Sequence, residues 1–401
     1  MKKIQGGITA VQGFRAAGLH CGIKSGRSPD LALIAADHRC SSAAVFTLNR
    51  AAAAPVVLTR NHSRNGNLQA IVANSGSANA CTGAEGLAIA EQMATITGKM
   101  LGISPRRIAV ASTGKIGAPP SLKALQSGIP RAISSLSHKG SRKAAEAILT
   151  TDTFTKEAAV RVRILGKTVT IGGIAKGAGM IHPNMATMLA FLTTDARIPS
   201  ARLQKMLTAA VDRSFNMVSV DGETSTNDMV VCLANGAAEN ESIERSPAAR
   251  RAFQESLDAV CTELAKMIAR DGEGATKLAE IRVVGAKNED AARSIARRIS
   301  QSPLVKTAFL GEDANWGRIA AAAGSAGVEF DPARVSIFFD NVAVVQNGVG
   351  LGPAAERKAA RVLGNKYFTV TLDLRTGRHT ATAWTCDLTE EYIRINTAYR
   401  S

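Results

Sequence analysis

The sequence predicts an α/β or α+β protein made of two closely packed lobes, and three observations support this prediction. The chain has 401 residues, which is more than one hydrophobic core usually spans. Hydrophobic residues make up 45% of it but aromatic residues only 4%, so aliphatic side chains must fill a large core. Strand-like apolar runs alternate with helical periodicity over most of its length.

The first and larger part of the chain alternates between the two kinds of element. Its patterns predict a strand at 69–74, a helix at 84–102, a strand at 108–112, helices at 121–136 and 141–150, a hairpin of 158–165 and 167–173 around Gly166-Lys167, a strand after residue 187, a helix at 200–213, a strand at 228–234 and a helix at 247–270.

A second unit follows after a short polar stretch and that long helix. Its patterns predict a strand at 278–285, a helix at 288–301, a helix from about residue 315, a strand at 335–340, a helix at 354–363 and strands near 367–374 and 379–385. We therefore place a smaller lobe at 281–384 and a larger lobe at 1–280.

The charge balance needs an explanation, because 49 basic residues against 33 acidic ones give a net charge of +16. Nucleic-acid binding is one reading of such an excess. However, the basic residues are dispersed and no aromatic residues are interleaved with them. A basic surface that attracts acidic metabolites such as glutamate is the better interpretation.

Other features argue against a membrane, secreted or metal-binding protein. No apolar run is long enough to span a bilayer, and the start of the chain lacks the apolar region of a signal peptide. The six cysteines are scattered, without a CxxC pair or histidines at ligand spacing. We expect a cytoplasmic protein with reduced thiols and no zinc site.

The segment from Lys176 to Leu189 carries the most informative chemistry. Thr187 follows a small residue, Ala186, and precedes an apolar run that predicts a buried strand. A threonine hydroxyl is a poor nucleophile until a base takes its proton, and cutting the chain just before it would free its own α-amine for that task. Two glycines and Pro183 favour sharp turns ahead of it. On local grounds alone, an ordinary hairpin with a threonine at the strand edge is the simpler reading.

Seven further blocks change that balance. They are Asn74-Ser-Gly-Ser-Ala-Asn79-Ala-Cys-Thr-Gly83, Ser112-Thr-Gly114 with Ile116-Gly117, Thr151-Asp-Thr153, Ser225-Thr-Asn-Asp228, Asp271-Gly-Glu-Gly-Ala-Thr-Lys277, Gly311-Glu-Asp-Ala-Asn-Trp-Gly317 and Arg394-Ile-Asn-Thr-Ala-Tyr-Arg-Ser401. Each is weak alone. Together with the Thr187 segment they closely resemble, in order and from about residue 7 to the end, the ornithine acetyltransferases (glutamate N-acetyltransferases) of arginine biosynthesis.

The resemblance implies a fold and an assembly. The fold is a layered α-β-β-α core of the N-terminal-nucleophile type, similar to that of the related aminopeptidases, with a smaller α/β lobe. The tail at 385–401 would return to the larger lobe. In the family the chain cuts itself before the threonine, which here would give an α chain of 1–186 and a β chain of 187–401. Two α and two β chains are implied.

The resemblance also implies catalytic residues. Thr187 would be the nucleophile. Thr113 and Gly114, at the end of a predicted strand, would supply a hydroxyl and a backbone N–H to the oxyanion. Cys81 is a weaker candidate for a nucleophile, since neither a helix N-terminus nor a nearby histidine accompanies it in the sequence.

Substrate-binding residues follow from the same resemblance. Lys176 would hold a substrate carboxylate, and Glu273, between two glycines, would face the cationic amine of ornithine. Thr153 would contact substrate as well, although Thr150 and Thr151 are near enough to leave the choice among the three open. Thr187 itself and two residues of the tail complete the set: Asn396 and Ser401.

The implied reaction moves an acetyl group from N2-acetyl-L-ornithine to L-glutamate through an acetyl-threonine, with ping-pong kinetics. No metal or organic cofactor is needed. Whether acetyl-CoA also serves as a donor, as in the bifunctional members of the family, stays open.

Two residues depart from the pattern of the family, and two other function classes stay open. Lys115 stands where the family usually has an apolar residue, and Met229 where threonine is usual, which puts donor and acceptor specificity in doubt. A hydrolase of the aminopeptidase type would release acetate without glutamate. An inactive, basic binding protein would stay uncut and bind nucleic acid with a steep salt dependence.

Overall fold

The computed structural model describes residues 1–182 and 188–398. Its strands are β1 (Lys2–Ile4), β2 (Phe14–Leu19), β3 (Leu31–Ala36), β4 (Ser41–Phe46), β5 (Ala70–Ser77), β6 (Ile108–Lys115), β7 (Lys156–Ile164), β8 (Lys167–Lys176), β9 (Leu189–Thr194), β10 (Val218–Ser219), β11 (Met229–Ala234), β12 (Leu278–Ala286), β13 (Ser336–Phe339), β14 (Val342–Gln346), β15 (Val349–Gly350), β16 (Tyr367–Asp373) and β17 (His379–Cys386).

Its α-helices are α1 (Ala54–Ser63), α2 (Gly83–Leu101), α3 (Leu122–Ser134), α4 (Ser141–Ala147), α5 (Ser200–Arg213), α6 (Pro247–Arg270), α7 (Glu289–Ser300), α8 (Pro303–Leu310), α9 (Trp316–Gly324), α10 (Pro353–Leu363) and α11 (Glu390–Ala398). Short 3₁₀ helices lie at Ile8–Ala10, Pro105–Arg107, Phe215–Met217, Ile243–Arg245 and Pro332–Arg334.

Two sheets stacked face to face form the centre of the molecule. One has the strand order β1-β7-β8-β9-β11-β4 and the other the order β2-β3-β5-β6. Helices α5 and α6 pack on the outer face of the six-stranded sheet, and α2 and α3 on the outer face of the four-stranded sheet. The layers therefore run α-β-β-α, and the predicted fold class is confirmed.

Strand β9, which follows Thr187 in the chain, shows why the layers form. Leu189 and Phe191 belong to the core between the two sheets, whereas Ala190 and Leu192 belong to the core under α5 and α6. Successive side chains of a strand point to opposite faces, so a continuous apolar run fits only a strand that is covered on both sides. The apolar run after Thr187 is thus a central strand.

A seven-stranded sheet of order β10-β17-β12-β16-β13-β14-β15 forms the second unit. Helix α7 packs on β12 and β17, and α10 on β14. Its core is continuous with the core under α6. The boundaries predicted at 280/281 and 384/385 fall within β12 and β17, and the division into two lobes stays a prediction.

The hairpin of β7 and β8 corrects one detail of the sequence analysis. Its two-residue turn is formed by Leu165 (φ 48°) and Gly166 (φ 77°), not by Gly166-Lys167. Positive φ at both central residues is the signature of the type I′ turn that joins tightly paired strands. The predicted turn was therefore one residue too late.

The elements before residue 69 were not predicted. All six residues of β3 are buried, yet three of them are alanines, which have a low strand preference. Helix α1 begins in the alanine-rich stretch around residue 53. Strand β3 forms because its side chains fit both the core between the sheets and the core under α2 and α3, a tertiary effect that no local pattern reveals.

Three general properties concern the described residues, 1–182 and 188–398. No helix there combines the length and apolar character required to cross a membrane. All six cysteines lie in these ranges, and each is a free thiol. Within the same ranges, no group of three or more His, Cys, Asp or Glu side chains is placed to hold a metal ion.

Candidate active site

A cavity of about 240 Å³ opens where several strands end. It is lined by residues from segments that are far apart in the sequence, among them Thr113, Gly114, Thr150, Lys176, Asn227, Glu273 and Asn396. Five of the residues predicted to form the site therefore meet in one place. Three others, Ala186, Thr187 and Ser401, lie outside the described residues.

The first wall of the cavity is the end of β6. Thr113 is buried there, and Gly114 has a φ of 128°. A Cβ atom at Gly114 would lie 2.4 Å from the carbonyl carbon of Gly76 in the paired strand β5. Only glycine satisfies both conditions, since the backbone angle is in the left-handed region and the two backbones nearly touch. The glycine predicted for the oxyanion site is thus also required by strand packing.

Lys176 ends β8 and is only 2% exposed. Its ammonium donates hydrogen bonds to the hydroxyls of Thr150, at 2.8 Å, and Thr113, at 3.3 Å. It also lies 3.7 Å from the carboxylate of Asp152. Burial lowers the pKa of Lys176, although Asp152 acts in the opposite direction. An ammonium has three N–H donors, and two of them are used by these hydroxyls.

A buried charge network lies behind Lys176. Asp152 accepts hydrogen bonds from Lys156, at 2.7 Å, and from the Gly177 N–H, also at 2.7 Å. Burial would raise the pKa of Asp152, but the positive charges of Lys176 and Lys156 outweigh it and hold that pKa well below its usual range. Asp152 is therefore an ionised partner that keeps Lys176 in place.

Thr153 belongs to this network and does not line the cavity. Its hydroxyl and its backbone N–H both donate to the carboxylate of Asp271, which also accepts from Lys156. Thr150 and Thr151 line the cavity instead. A substrate contact by Thr153 stays a prediction, and the geometry favours its two neighbours for that contact.

The opposite wall is built from a loop and the C-terminal helix. The N–H of Glu273 donates to the Ala178 carbonyl at 2.9 Å, and a Cβ at Gly179 would lie 2.5 Å from the Glu273 carboxyl carbon. Asn396, on α11, donates to the Glu273 carboxylate at 2.9 Å. The tail thus reaches the cavity at Asn396.

Two carboxyls, the half-buried Asp221 and the buried Asp228, hold the chain on either side of residues 183–187. Asp221 accepts from the N–H groups of Met180, at 2.5 Å, and Ile181, at 2.8 Å. Asp228 accepts from the N–H of Met188 at 3.0 Å. Burial raises the pKa of both carboxyls. Met188, which directly follows Thr187, is therefore held beside the cavity by its hydrogen bond to Asp228.

The block from Ser225 to Asp228 also ties the layers together. The Asn227 side chain donates to the carbonyls of Ala78, at 2.6 Å, and Ser112, at 2.8 Å, and its N–H donates to the Ser225 hydroxyl. The bond from the Asn227 N–H to Ser225 is a local turn contact, and the other two join distant segments. Met229, one of the two departures, is buried in the core between the sheets, while Lys115 is exposed.

Sequence reasoning missed the carboxyls of Asp152, Asp221 and Asp228 and the buried Lys156. Asp152 and Asp228 stand within the blocks quoted above, so their positions were visible, but their roles depend on partners distant in the chain. Asp152, for example, meets Lys176 across 24 residues of hairpin. No spacing rule predicts such a pair.

Comparison with known proteins places the chain in a family. Residues 15–401 match the ArgJ family. The arginine biosynthesis bifunctional protein ArgJ of Symbiobacterium thermophilum is 52% identical over all of both chains, and that of Caldanaerobacter subterraneus is 45% identical over all of both. A crystal structure of Bacillus halodurans ArgJ is 43% identical and has a TM-score of 0.50, covering 52% of this chain and 98% of that one. The chain belongs to the ArgJ family.

Proposed function

We propose that the protein transfers an acetyl group from N2-acetyl-L-ornithine to L-glutamate, through an acetyl-enzyme on Thr187, in arginine biosynthesis. The names of the relatives support the assignment to arginine biosynthesis. One observation carries the assignment to this chain. A single cavity is lined by Thr113, Gly114, Lys176, Glu273 and Asn396. Met188, the neighbour of Thr187, donates its N–H to Asp228, which directly follows the cavity-lining Asn227.

The proposal includes self-cleavage between Ala186 and Thr187, which yields an α chain of 1–186 and a β chain of 187–401. The Thr187 hydroxyl attacks the Ala186 carbonyl, and water hydrolyses the resulting ester. One feature of the comparisons supports this. The Bacillus halodurans chain is aligned over 98% of its length yet covers 52% of this one, about the share of one such fragment.

Acetyl transfer then uses the α-amine that cleavage frees. The amine takes the hydroxyl proton as Thr187 Oγ attacks the acetyl carbonyl, and ornithine leaves with a proton. The amine of glutamate attacks the acetyl-threonine in the second half of the reaction. Since both substrates use the same nucleophile in turn, the kinetics are ping-pong.

The contacts of Lys176 support Thr113 as the oxyanion donor. A lysine ammonium can only donate, so the Thr113 oxygen accepts from it and the Thr113 O–H is left to donate elsewhere. Together with the Gly114 N–H it would meet the charge that develops on the acetyl oxygen. Lys176 thus supports Thr113, and this role fits its contacts better than a direct hold on the substrate carboxylate.

The opposite wall suits the side-chain end of the acetyl donor, N2-acetyl-L-ornithine. The half-buried carboxylate of Glu273 would face the side-chain ammonium of ornithine, and Asn396 holds that carboxylate from the exposed side. A charge-assisted contact of this kind is stronger than a neutral hydrogen bond. Ser401 belongs to the same proposed binding site.

Three further points belong to the proposal. The relatives are named bifunctional, which supports acetyl-CoA as a second acetyl donor. The assembly would contain two α and two β chains, and the protein would act in the cytoplasm on small-molecule substrates.

Intact mass of the purified protein tests self-cleavage, with Thr187→Ala beside the wild type. Two fragments that meet at 186/187 in the wild type, and a single chain in the variant, are the expected result. Incubation of the cleaved enzyme with N-acetylornithine alone should add one acetyl group to the fragment that begins at Thr187. An uncut wild-type chain, or a sequential mechanism without an acetyl-enzyme, would contradict the proposal.

A further inference from the structure

Strand β6, which carries the proposed oxyanion donors near its end, lies at one edge of the four-stranded sheet. Successive residues of a strand direct their backbone N–H and C=O groups to opposite edges. Gln69, directly before β5, donates its N–H to the Arg107 carbonyl at 2.8 Å. Ala78, directly after β5, donates its N–H to the Lys115 carbonyl at 2.9 Å. The odd-numbered residues of β6 therefore face β5, and the even-numbered ones face the outer edge.

In the part of the chain that the structure describes, side chains instead of a further strand bind this outer edge. The ring Nδ1 of His62 lies at hydrogen-bond distance, 2.9 Å, from the Ile108 carbonyl. At the next outward-facing residue, the Thr59 hydroxyl accepts the Val110 N–H at 2.8 Å and donates to the Val110 carbonyl at 2.7 Å. Helix α1, which carries both side chains, thus takes the place of a neighbouring strand.

The next two outward-facing residues of β6 lead into the cavity. The Ser112 carbonyl accepts a hydrogen bond from the side chain of Asn227, which lines the cavity, at 2.8 Å. Gly114 follows and lines the cavity as well. By the same alternation, its N–H belongs to the outer edge of the strand. The edge that presents the proposed oxyanion donor is therefore the edge that α1 holds farther back.

Thr59 makes the most complete of these contacts, because one hydroxyl binds both backbone groups of Val110, as a paired residue in a strand would. It is 0% exposed. Among the described residues, those that line the cavity do not include Thr59. Val110 is four residues from Gly114, about 13 Å along a strand. Any effect of the Thr59 hydroxyl on the reaction must therefore pass through β6.

We infer that Thr59 is a positioning residue for acetyl transfer, because it binds both backbone groups of Val110 and so fixes the strand that presents Thr113 and Gly114. This inference rests on the proposed function, in which these two residues stabilise the oxyanion. Oxyanion donors act through exact placement, and a shift of about 1 Å can lower a rate by up to about 10²-fold.

Thr59→Val is the decisive variant, because valine has nearly the same shape but leaves the buried N–H and C=O of Val110 without the hydroxyl. Steady-state kinetics on fully cleaved enzyme, with N-acetylornithine and glutamate, measure the effect. We expect kcat to fall about tenfold with little change in either KM. Thr59→Ser keeps the hydroxyl and should keep kcat near the wild-type value.

Thr193→Val is the matched control. Thr193 is also 0% exposed, and its hydroxyl also donates to the backbone carbonyl of a distant segment, that of Ile8, at 2.9 Å. It lies on β9, four residues after Leu189 at the start of that strand. Its variant should keep the wild-type kcat, because loss of a buried hydroxyl does not in itself slow the reaction.

Hydrogen exchange, followed by mass spectrometry, tests whether the effect passes through the strand. Peptides that cover 108–115 should exchange faster in Thr59→Val than in the wild type, and Thr193→Val should leave them unchanged. A variant with a lower kcat but unchanged exchange in these peptides would overturn the inference. If Thr59→Val does not fold, Thr59→Ala takes its place, since it removes the hydroxyl without placing a methyl group against the polar backbone.

The outcomes separate this inference from the function on which it rests. A wild-type enzyme that transfers no acetyl group refutes the proposed function, and the role of Thr59 falls with it. A wild type that transfers acetyl beside a Thr59→Val variant with the same kcat refutes the role of Thr59 alone. A defect confined to KM, an equal fall in Thr193→Val, or failure of both hydroxyl-free variants to fold would also refute it.

Discussion

The two walls of the cavity are built in different ways. On one wall, which we call the strand wall, Thr113 and Lys176 lie at strand ends and are buried. The ion pairs of Asp152 with Lys156 and Lys176 lie behind them. On the other, the loop wall, the half-buried Glu273 lies on a loop and the exposed Asn396 lies on the terminal helix. Groups that meet transition-state charge gain from rigid placement, whereas groups that recognise a substrate end can be carried by less buried elements. The comparison suggests that chemistry and recognition are divided between the walls.

The largest effect is expected on the strand wall, from Thr113→Val. Loss of the hydroxyl would remove the proposed oxyanion donor, which should lower kcat by about 10²–10³-fold and leave KM for N-acetylornithine nearly unchanged. Steady-state kinetics on fully cleaved enzyme measure this. Thr113→Ser keeps the hydroxyl and is the control. A valine variant whose defect lies in KM would remove the distinction between the walls.

Asp152→Asn tests whether the strand wall depends on buried charge. The folded protein holds the pKa of Asp152 below its usual value, so the carboxylate stabilises the fold above pH ~4 and loses that effect as the pH falls through the folded-state pKa. We expect the free energy of unfolding to fall by about 3 kcal/mol at pH 7, with a much smaller difference at pH values below the folded-state pKa.

Urea unfolding in the Thr187→Ala background measures this change on a single uncut chain. Asp37→Asn is the control, since Asp37 pairs with Arg15 at the surface at 2.7 Å and an exposed pair contributes about 1 kcal/mol or less. An equal loss at both positions would mean that burial of the network contributes no extra stability.

Lys176→Met distinguishes support of Thr113 from a hold on the substrate carboxylate. Support predicts a fall in kcat of about tenfold, or ~1.4 kcal/mol, with little change in KM. A direct hold on the substrate carboxylate predicts a raised KM for glutamate instead. That result would show that Lys176 takes part in substrate recognition. Lys115→Met, at an exposed lysine two residues after Thr113, is the control and should leave both constants unchanged.

The smallest effects are expected on the loop wall. Glu273→Gln keeps the shape and removes the charge, which should raise KM for N-acetylornithine about tenfold while kcat is retained. Asn396→Ala removes one exposed hydrogen bond to Glu273 and should raise KM only about two- to threefold. A large loss of kcat in either variant would show that recognition and chemistry are not separated.

Much of the fold was predictable because its elements are long and strongly patterned. The long helix α6 matches the predicted range 247–270, and β11 begins one residue after the predicted start. The elements before residue 69 were missed, since alanine-rich strands carry no local signal. Thr113 and Gly114 were predicted through a motif at a strand end, and the required φ at Gly114 gives that motif a physical reason.

What the sequence determined by itself is the inventory of the site: a glycine at the β5–β6 contact, charged residues in short blocks, an apolar run after Thr187, and an order of blocks specific enough to identify the family. What only the tertiary structure decided is the pairing among them. Lys176 donates to Thr113 and Thr150 and forms an ion pair with Asp152. Thr153 donates to Asp271, and Asp228 accepts from Met188. The reason is physical: the charge state and the partner of a side chain depend on burial and on distances across the layers, and local sequence specifies neither.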